Sequence, residues 1–295
     1  DIGYFLKASS EKALNAKENQ IRENILGQIL NLEEEYFTDP VYGLHWQNIK
    51  SKFATIINSL CVDFEFTNVN IKNMGGMKYN YDFEVSYLQD KTIIKQVKLE
   101  FKHNNSELIN LVQFLELYDK NLKNTYEFCD VSYSEHYYTH FLDEYIKLDA
   151  GITVEKPSIE EYCKEVSKID YCNPFIGNLY SNKDINKTEK NKVVKQSIKT
   201  YLETYRTQFN FKQITEKIRE SQMNKMFLLW DCENFHIRQL DLETINITGI
   251  IEGTVTNLCF DVEVENFTYN IRVRFNWGNN QGVANPRWKF TFIKK

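Results

Sequence analysis

Residues 79–104 read YNYDFEVSYLQDKTIIKQVKLEFKHN. Tyr81, Phe83, Val85 and Tyr87 alternate with other residues at the period of a strand that buries one face. Gln89-Asp90-Lys91 forms a short turn. Beyond it Val97, Leu99 and Phe101 resume the alternation, with Gln96, Lys98, Glu100 and Lys102 on the opposite face. Two such runs joined so closely predict an antiparallel hairpin. Asp82 stands on its first strand, and the triplet Glu100-Phe101-Lys102 ends its second, 18 residues later. Strand alternation puts Glu100 and Lys102 on one face and turns Phe101 into the core. Asp82 can approach that face from the neighbouring strand. Glu84 shares the strand face of Asp82 and is the alternative acid; Asp82 is preferred. Two carboxylates beside a lysine suit Mg²⁺, or Mn²⁺ in its place, because such cations take oxygen ligands and keep several waters. A bound metal acidifies water and offsets phosphate charge, while a lysine orients that water and stabilises developing negative charge.

Working outward, Trp46, Ile49, Phe53, Ile56, Ile57 and Leu60 recur at helical spacing over Leu44 to Leu60. A strand is expected from Val62 to Ile71, with Val62, Phe64 and Phe66 alternating, followed by the turn Asn73-Met74-Gly75-Gly76. After the hairpin, Asn104-Asn105-Ser106 is a helix-starting cluster, and Leu108, Leu111, Val112, Leu115, Tyr118 and Leu122 predict the helix it would start. Further on, a short strand is expected from Tyr126 to Tyr133 and an aromatic helix from Ser134 to Leu148. Ser158 and Glu161 have capping-box spacing. A long helix is expected from Thr188 to Gln208, a helical piece through Ser221, and antiparallel strands from Met226 onward. The chain is thus read as a core with N-terminal helices (1–150), a helical region (151–225) and an antiparallel β region (226–295).

The order helix, three strands, helix, with Asp82 and Glu100-Phe101-Lys102 where they stand, resembles the PD-(D/E)xK nuclease superfamily over Leu44 to Tyr133. The phrases GGMKYNYDFEV, LEFKHN, LVQFLELY and WGNNQGVANPRWKF are also similar to nuclease-like proteins of giant DNA viruses. The resemblance implies an α/β (α+β) fold with a restriction-endonuclease-like αβββαβ core, helical insertions and a C-terminal antiparallel β region. It implies Mg²⁺-dependent hydrolysis of DNA phosphodiester bonds, with Asp82 and Glu100 as metal ligands and Lys102 as the catalytic lysine. Gln113 matches a glutamine that some members place beside the site. Tyr81 replaces the proline of the nominal motif, and Gln47 stands where some members carry a further acid, leaving Glu35 or Glu65 as the third acid. The alternative is a catalytically inactive nuclease-fold module that binds DNA or a protein.

Composition bounds the rest. With 295 residues, 42% hydrophobic and 26% charged, the chain is ordinary globular material. Its net charge of −5 means that DNA must be held by local patches. Three patches qualify: Lys72 and Lys78 flanking a Gly-Gly turn; Lys192, Lys195 and Lys199 on one edge of the long helix; and Arg287, Trp288 and Lys289 beside Trp277, Asn279 and Asn280. His136, His140 and nearby Cys129 can in principle hold a metal, but aromatic packing is the preferred reading. His103 points away from Lys102 and is read as support. Six scattered cysteines without a CxxC pair fit reduced thiols and an intracellular location, cytoplasmic or nuclear. No apolar run reaches the roughly 18 residues of a membrane span. The chain starts at Asp1 with no leader pattern and is read as a trimmed segment, and a homodimer is compatible with double-strand cutting.

Overall fold

The computed structural model describes residues 2–6, 12–74, 79–111, 113–117, 128–149, 152–166, 172–242, 244–277, 283–284 and 286–295. The chain folds as a mixed α+β protein with two compact units, 1–111 with 221–241 and 112–220 with 242–295. In chain order the first segment carries α1 (Gly3–Leu6), α2 (Lys12–Ile29), α3 (Gly43–Ser59), β1 (Asn68–Asn73), β2 (Phe83–Gln89) and β3 (Thr92–His103). The next carries β4 (Leu115–Leu117), α4 (Tyr133–His140), α5 (Leu142–Lys147), α6 (Ile159–Val166), α7 (Pro174–Ser181), α8 (Lys187–Tyr205) and α9 (Phe211–Gln222). The chain then returns to the first unit for β5 (Lys225–Trp230) and β6 (Phe235–Gln239), and completes the second with β7 (Asn246–Ile250), β8 (Cys259–Glu265), β9 (Tyr269–Trp277) and β10 (Pro286–Lys294).

The first unit is built on the sheet β1-β2-β3-β5-β6, antiparallel except where β3 runs parallel to β5. Its core lies on one sheet face. Phe83, Val85 and Tyr87 from β2 and Val97, Leu99 and Phe101 from β3 pack with Leu228 and Trp230 from β5 and with Ile49, Phe53 and Ile57 from α3. The helical spacing in α3 and the two-residue period in β2 and β3 thus bury the predicted faces together. Gly43 opens α3 where the chain crosses the Phe37 carbonyl; an added Cβ would lie 2.1 Å from that oxygen, so only glycine fits without a shift.

The second unit holds the antiparallel sheet β4-β10-β9-β8-β7. Trp288, Phe290 and Phe292 of β10 and Ile271, Val273 and Phe275 of β9 are buried, and Tyr133, Tyr137, Tyr201 and Phe209 add an aromatic layer. No helix among the described residues is long and apolar enough to cross a membrane.

Four expectations are corrected. Val62 and Phe64 are 78% and 52% exposed: tight turns continue from α3 through Cys61, and the first strand begins only at Asn68. The apolar spacing after Ser106 gives a 3₁₀ turn at Leu108–Asn110 and then β4, not a long helix, because β10 supplies a strand partner that local spacing does not reveal. Residues 128–132 carry no strand, and residues 126 and 127 lie outside the described residues. The three-part division gives way to two interleaved units, since β5 and β6 join the N-terminal sheet rather than the C-terminal one.

Candidate active site

On β3, Lys98, Glu100 and Lys102 are half-buried while Val97, Leu99, Phe101 and His103 are buried, the alternation expected of a strand with one face in a core. Parallel pairing sets Lys98 beside Lys225 and Glu100 beside Phe227, so Lys225 rises on the face of Glu100. The Lys102 ammonium lies 2.5 Å from Glu100 Oε1, and the Lys225 ammonium pairs with Oε2. Lys225 is buried and also donates to the Asn80 carbonyl at 3.2 Å. The Lys102 side chain keeps 32% of its surface exposed, enough to meet an incoming group.

Asp82 stands just before β2. Its N–H donates to the Leu99 carbonyl (2.9 Å), its carbonyl accepts from the Met74 N–H (2.7 Å), and its Oδ2 accepts from the Phe101 N–H (2.7 Å). The two bonds to β3 bracket Glu100 and lock the carboxylate to the strand that bears it. A third acid comes from α2: Glu23 is close enough to Asp82, Lys102 and Glu100 for their charges to act on its carboxyl. Glu35 and Glu65, the expected substitutes for a third acid, are both exposed.

Three carboxyls therefore face two ammonium groups in a largely dehydrated place. Burial pushes Glu23 up to about 8, with the negative charge of Asp82 adding to it. Burial also raises Asp82; Lys102 opposes that shift and Glu100 reinforces it. For Glu100, burial is outweighed by the two lysines, which hold its carboxyl below the ordinary range. Burial works against the Lys102 ammonium too, yet Glu100 and Asp82 hold its pKa up, whereas burial prevails at Lys225 and lowers it. The raised Glu23 and Asp82 carboxyls reflect burial first, and perturbed carboxyls in one place mark a candidate site. Oxygen donors from three elements fit a hard divalent cation that retains water ligands. Among the described residues no group of three or more His, Cys, Asp or Glu side chains is arranged to hold a metal ion, so any such ion would rest on fewer protein ligands and water.

The remaining predicted residues go elsewhere. Gln113, Arg287 and Lys289 converge on Glu116 of β4 in the second unit, at 3.2, 2.7 and 3.1 Å. Gln113 thus belongs with a cross-strand ion cluster, and not with the acids. Trp288 is 1% exposed, 4.1 Å from the Phe275 ring centroid, and so presents no face for a base; its expected role in DNA contact is withdrawn. Lys192 and Lys199 are exposed but paired with Glu189 and Glu203, while Lys195 is exposed on the same helix. Lys72 is exposed on β1 opposite Glu84. Lys78, Gly75, Gly76, Asn279 and Asn280 lie outside the described residues. His136 is buried among Tyr133, Phe141, Tyr201 and Tyr205, as aromatic packing requires, and His103 is buried on the core face of β3.

Glu23 and Lys225 were not singled out from the sequence. Glu23 follows Arg22 in a helix whose polar residues look alike. Lys225 does carry a signal, as a lone cation heading the apolar run Met226 to Trp230, but its partner lies 125 residues away. The chain matches no family model, and no curated protein or solved structure shows significant similarity to it.

Proposed function

We propose that the protein is a metal-dependent deoxyribonuclease of restriction-endonuclease type, acting through Asp82, Glu100 and Lys102. The observation that carries the reading is the Lys102–Glu100–Lys225 ion cluster beside an Asp82 bonded to the same strand. The element order α3, β1, β2, β3, with a later strand parallel to β3, supports that core. Between β3 and β5 the chain passes through residues 112–220 of the second unit, which reach into α9.

Asp82 and Glu100, with Glu23 behind them, would hold Mg²⁺ or Mn²⁺, which supplies a more acidic water and charge compensation at the phosphate. Lys102, held protonated and partly exposed, orients the attacking water and stabilises negative charge developing on the phosphate oxygens. Lys225 fixes the second Glu100 oxygen and sets the carboxylate plane. DNA is the proposed partner, and Lys72 is the described exposed cation on this unit that keeps its expected role in holding it. The engagement of both Glu100 oxygens by lysines favours a second reading, a binding module that keeps the fold without cleavage.

Plasmid incubated with purified protein and Mg²⁺ or Mn²⁺ distinguishes the two. Cleavage is expected for the wild type and should fall about 10²- to 10⁴-fold in Lys102→Ala, the usual contribution of a positioned proton-handling group. Asp82→Asn should weaken Mn²⁺ binding measured by calorimetry. Wild-type protein that binds DNA without cutting, with no Mn²⁺ uptake dependent on Asp82, would establish the binding module instead.

A further inference from the structure

The second unit contains a cavity of about 510 Å³ whose lining includes Lys183, Lys190, Lys195 and Arg274 and no carboxylate. In a chain of net charge −5 this is an unusual local excess of positive charge. Among the described residues Lys190 is the one of the four with an ion-pair partner. Lys190 is buried and pairs with Asp149 at 2.8 Å, and it also donates to the Asn182 carbonyl at 2.8 Å. Lys195 and Arg274 are exposed and have no ion-pair partner among the described residues, and the Lys183 ammonium rests over the Tyr180 ring at 4.0 Å. Neighbouring surface lysines behave differently: Lys187, Lys192 and Lys199 each have an acid three or four residues away.

The rest of the lining has another character. Val194 and Ile198 of α8 and Leu258 form an aliphatic wall, and Tyr145 and Trp277 add aromatic rings. The volume falls in the range of about 300–1,000 Å³ usual for small-ligand sites. A wall that takes an apolar planar body, next to Lys195 and Arg274, which have no ion-pair partner among the described residues, suits a ligand with a ring at one end and phosphate at the other.

We propose that this cavity binds a nucleoside phosphate, with Lys183, Lys195 and Arg274 around the phosphate and the nucleoside against Val194, Leu258 and the edge of Trp277. The ligand can be a free mononucleotide or the 5′-phosphorylated end of a strand, since both present the same chemistry. The assignment does not rest on the nuclease reading, which concerns residues of the first unit.

Calorimetric titration of the full chain with dAMP, ATP, inorganic phosphate and a short 5′-phosphorylated oligonucleotide tests it. Saturable one-site binding of at least one nucleoside phosphate is expected, with inorganic phosphate weaker by about tenfold or more because it lacks the ring. The double variant Lys195→Glu/Arg274→Glu changes two exposed side chains; it should keep the wild-type unfolding midpoint and lose about tenfold or more in affinity. Lys195→Gln should lose less. Asp82→Asn should bind as the wild type does, which separates this site from the acid cluster. Tighter binding of the oligonucleotide than of dAMP assigns the cavity to strand ends, and the reverse order assigns it to free nucleotide. The proposal is overturned by absence of saturable binding, by phosphate binding as tightly as the nucleotides, or by a charge-reversed variant that binds like the wild type.

Discussion

Among the described residues the buried lysines Lys190 and Lys225 each pair with a carboxylate, and the two pairs differ in their surroundings. In the second unit Lys190 meets Asp149, the other Asp149 oxygen accepts from the Asn182 amide at 3.2 Å, and Lys190 is completed by the Asn182 carbonyl and the Tyr145 ring. In these contacts one ammonium meets one carboxylate, with neutral groups beside them. In the first unit Glu100 has two lysines, and Asp82 and Glu23 stand close enough to displace one another's protonation. A balanced pair holds elements together, because its charges have nothing left to attract. An unbalanced cluster keeps protonation states poised and retains affinity for a further cation, which is what chemistry requires.

Truncating one lysine from each pair breaks the comparison most sharply. Lys190→Met removes the ammonium that lies 2.8 Å from buried Asp149, and about 3–5 kcal/mol of stability should be lost. Lys225→Met leaves Glu100 still paired with Lys102, so the loss measured by denaturant unfolding should be smaller by at least about 1 kcal/mol. Its DNA cleavage should nonetheless fall, because the Glu100 carboxylate is no longer held on both oxygens. Equal losses of stability in the two variants would mean that the first cluster is as structural as the second.

The same contrast explains what could be read in the sequence. Asp82, Glu100 and Lys102 lie within one hairpin, where a two-residue period and a short turn fix relative positions, so their meeting was legible from local pattern alone. The buried faces of α3, β2 and β3 were legible for the same reason. Lys225 was not, because it reaches Glu100 only through parallel pairing of β3 with β5, and the second unit's intervening segment separates those strands in sequence. Glu23 depends on how α2 meets the sheet, and Asn73 Nδ2 donating to Asn24 Oδ1 at 3.0 Å is part of that docking, which no periodicity encodes. The misreading of 108–111 and 113–117 has a related cause, while Val112, Tyr118 and Leu122 lie outside the described residues. A three-residue strand such as β4 is too short to show alternation, and its partner β10 lies at the far end of the chain. Composition cannot tell that alternate residues of β10 face a core or Glu116, so the burial of Trp288 and the pairing of Arg287 and Lys289 were not legible.

Glu23 sharpens the comparison through pH. Its carboxyl titrates at about 8 in the folded protein and at an ordinary value near 4.5 when unfolded. Between these values the folded state holds a proton that the unfolded chain has released. The stabilisation is therefore full below the lower value and is lost as pH rises through the upper one. Thermal unfolding followed from pH 5 to 9 should show a declining midpoint. Glu23→Gln should flatten that decline, and Mg²⁺ at pH 8 should raise the wild-type midpoint by supplying the missing positive charge. A wild-type profile identical to that of Glu23→Gln would remove Glu23 from the cluster.

The smallest effects belong to α8, where two kinds of lysine share one helix. Lys192 and Lys199 are exposed and paired with Glu189 and Glu203 at 2.8 and 3.7 Å, one turn away. Pairs of this type contribute about 0.2–0.5 kcal/mol and are screened by salt. Lys192→Ala and Lys199→Ala should each change unfolding free energy by less than about 0.5 kcal/mol, an effect that shrinks further in 0.5 M salt. Neither should alter nucleotide affinity in the second-unit cavity, because each ammonium is already directed to a neighbouring glutamate on its own helix. Lys195, between them in sequence and without such a glutamate, should carry the affinity instead. A calorimetric loss in Lys192→Ala equal to that in Lys195→Gln would show that this helix acts as a continuous basic edge and that local pairing does not select among its lysines.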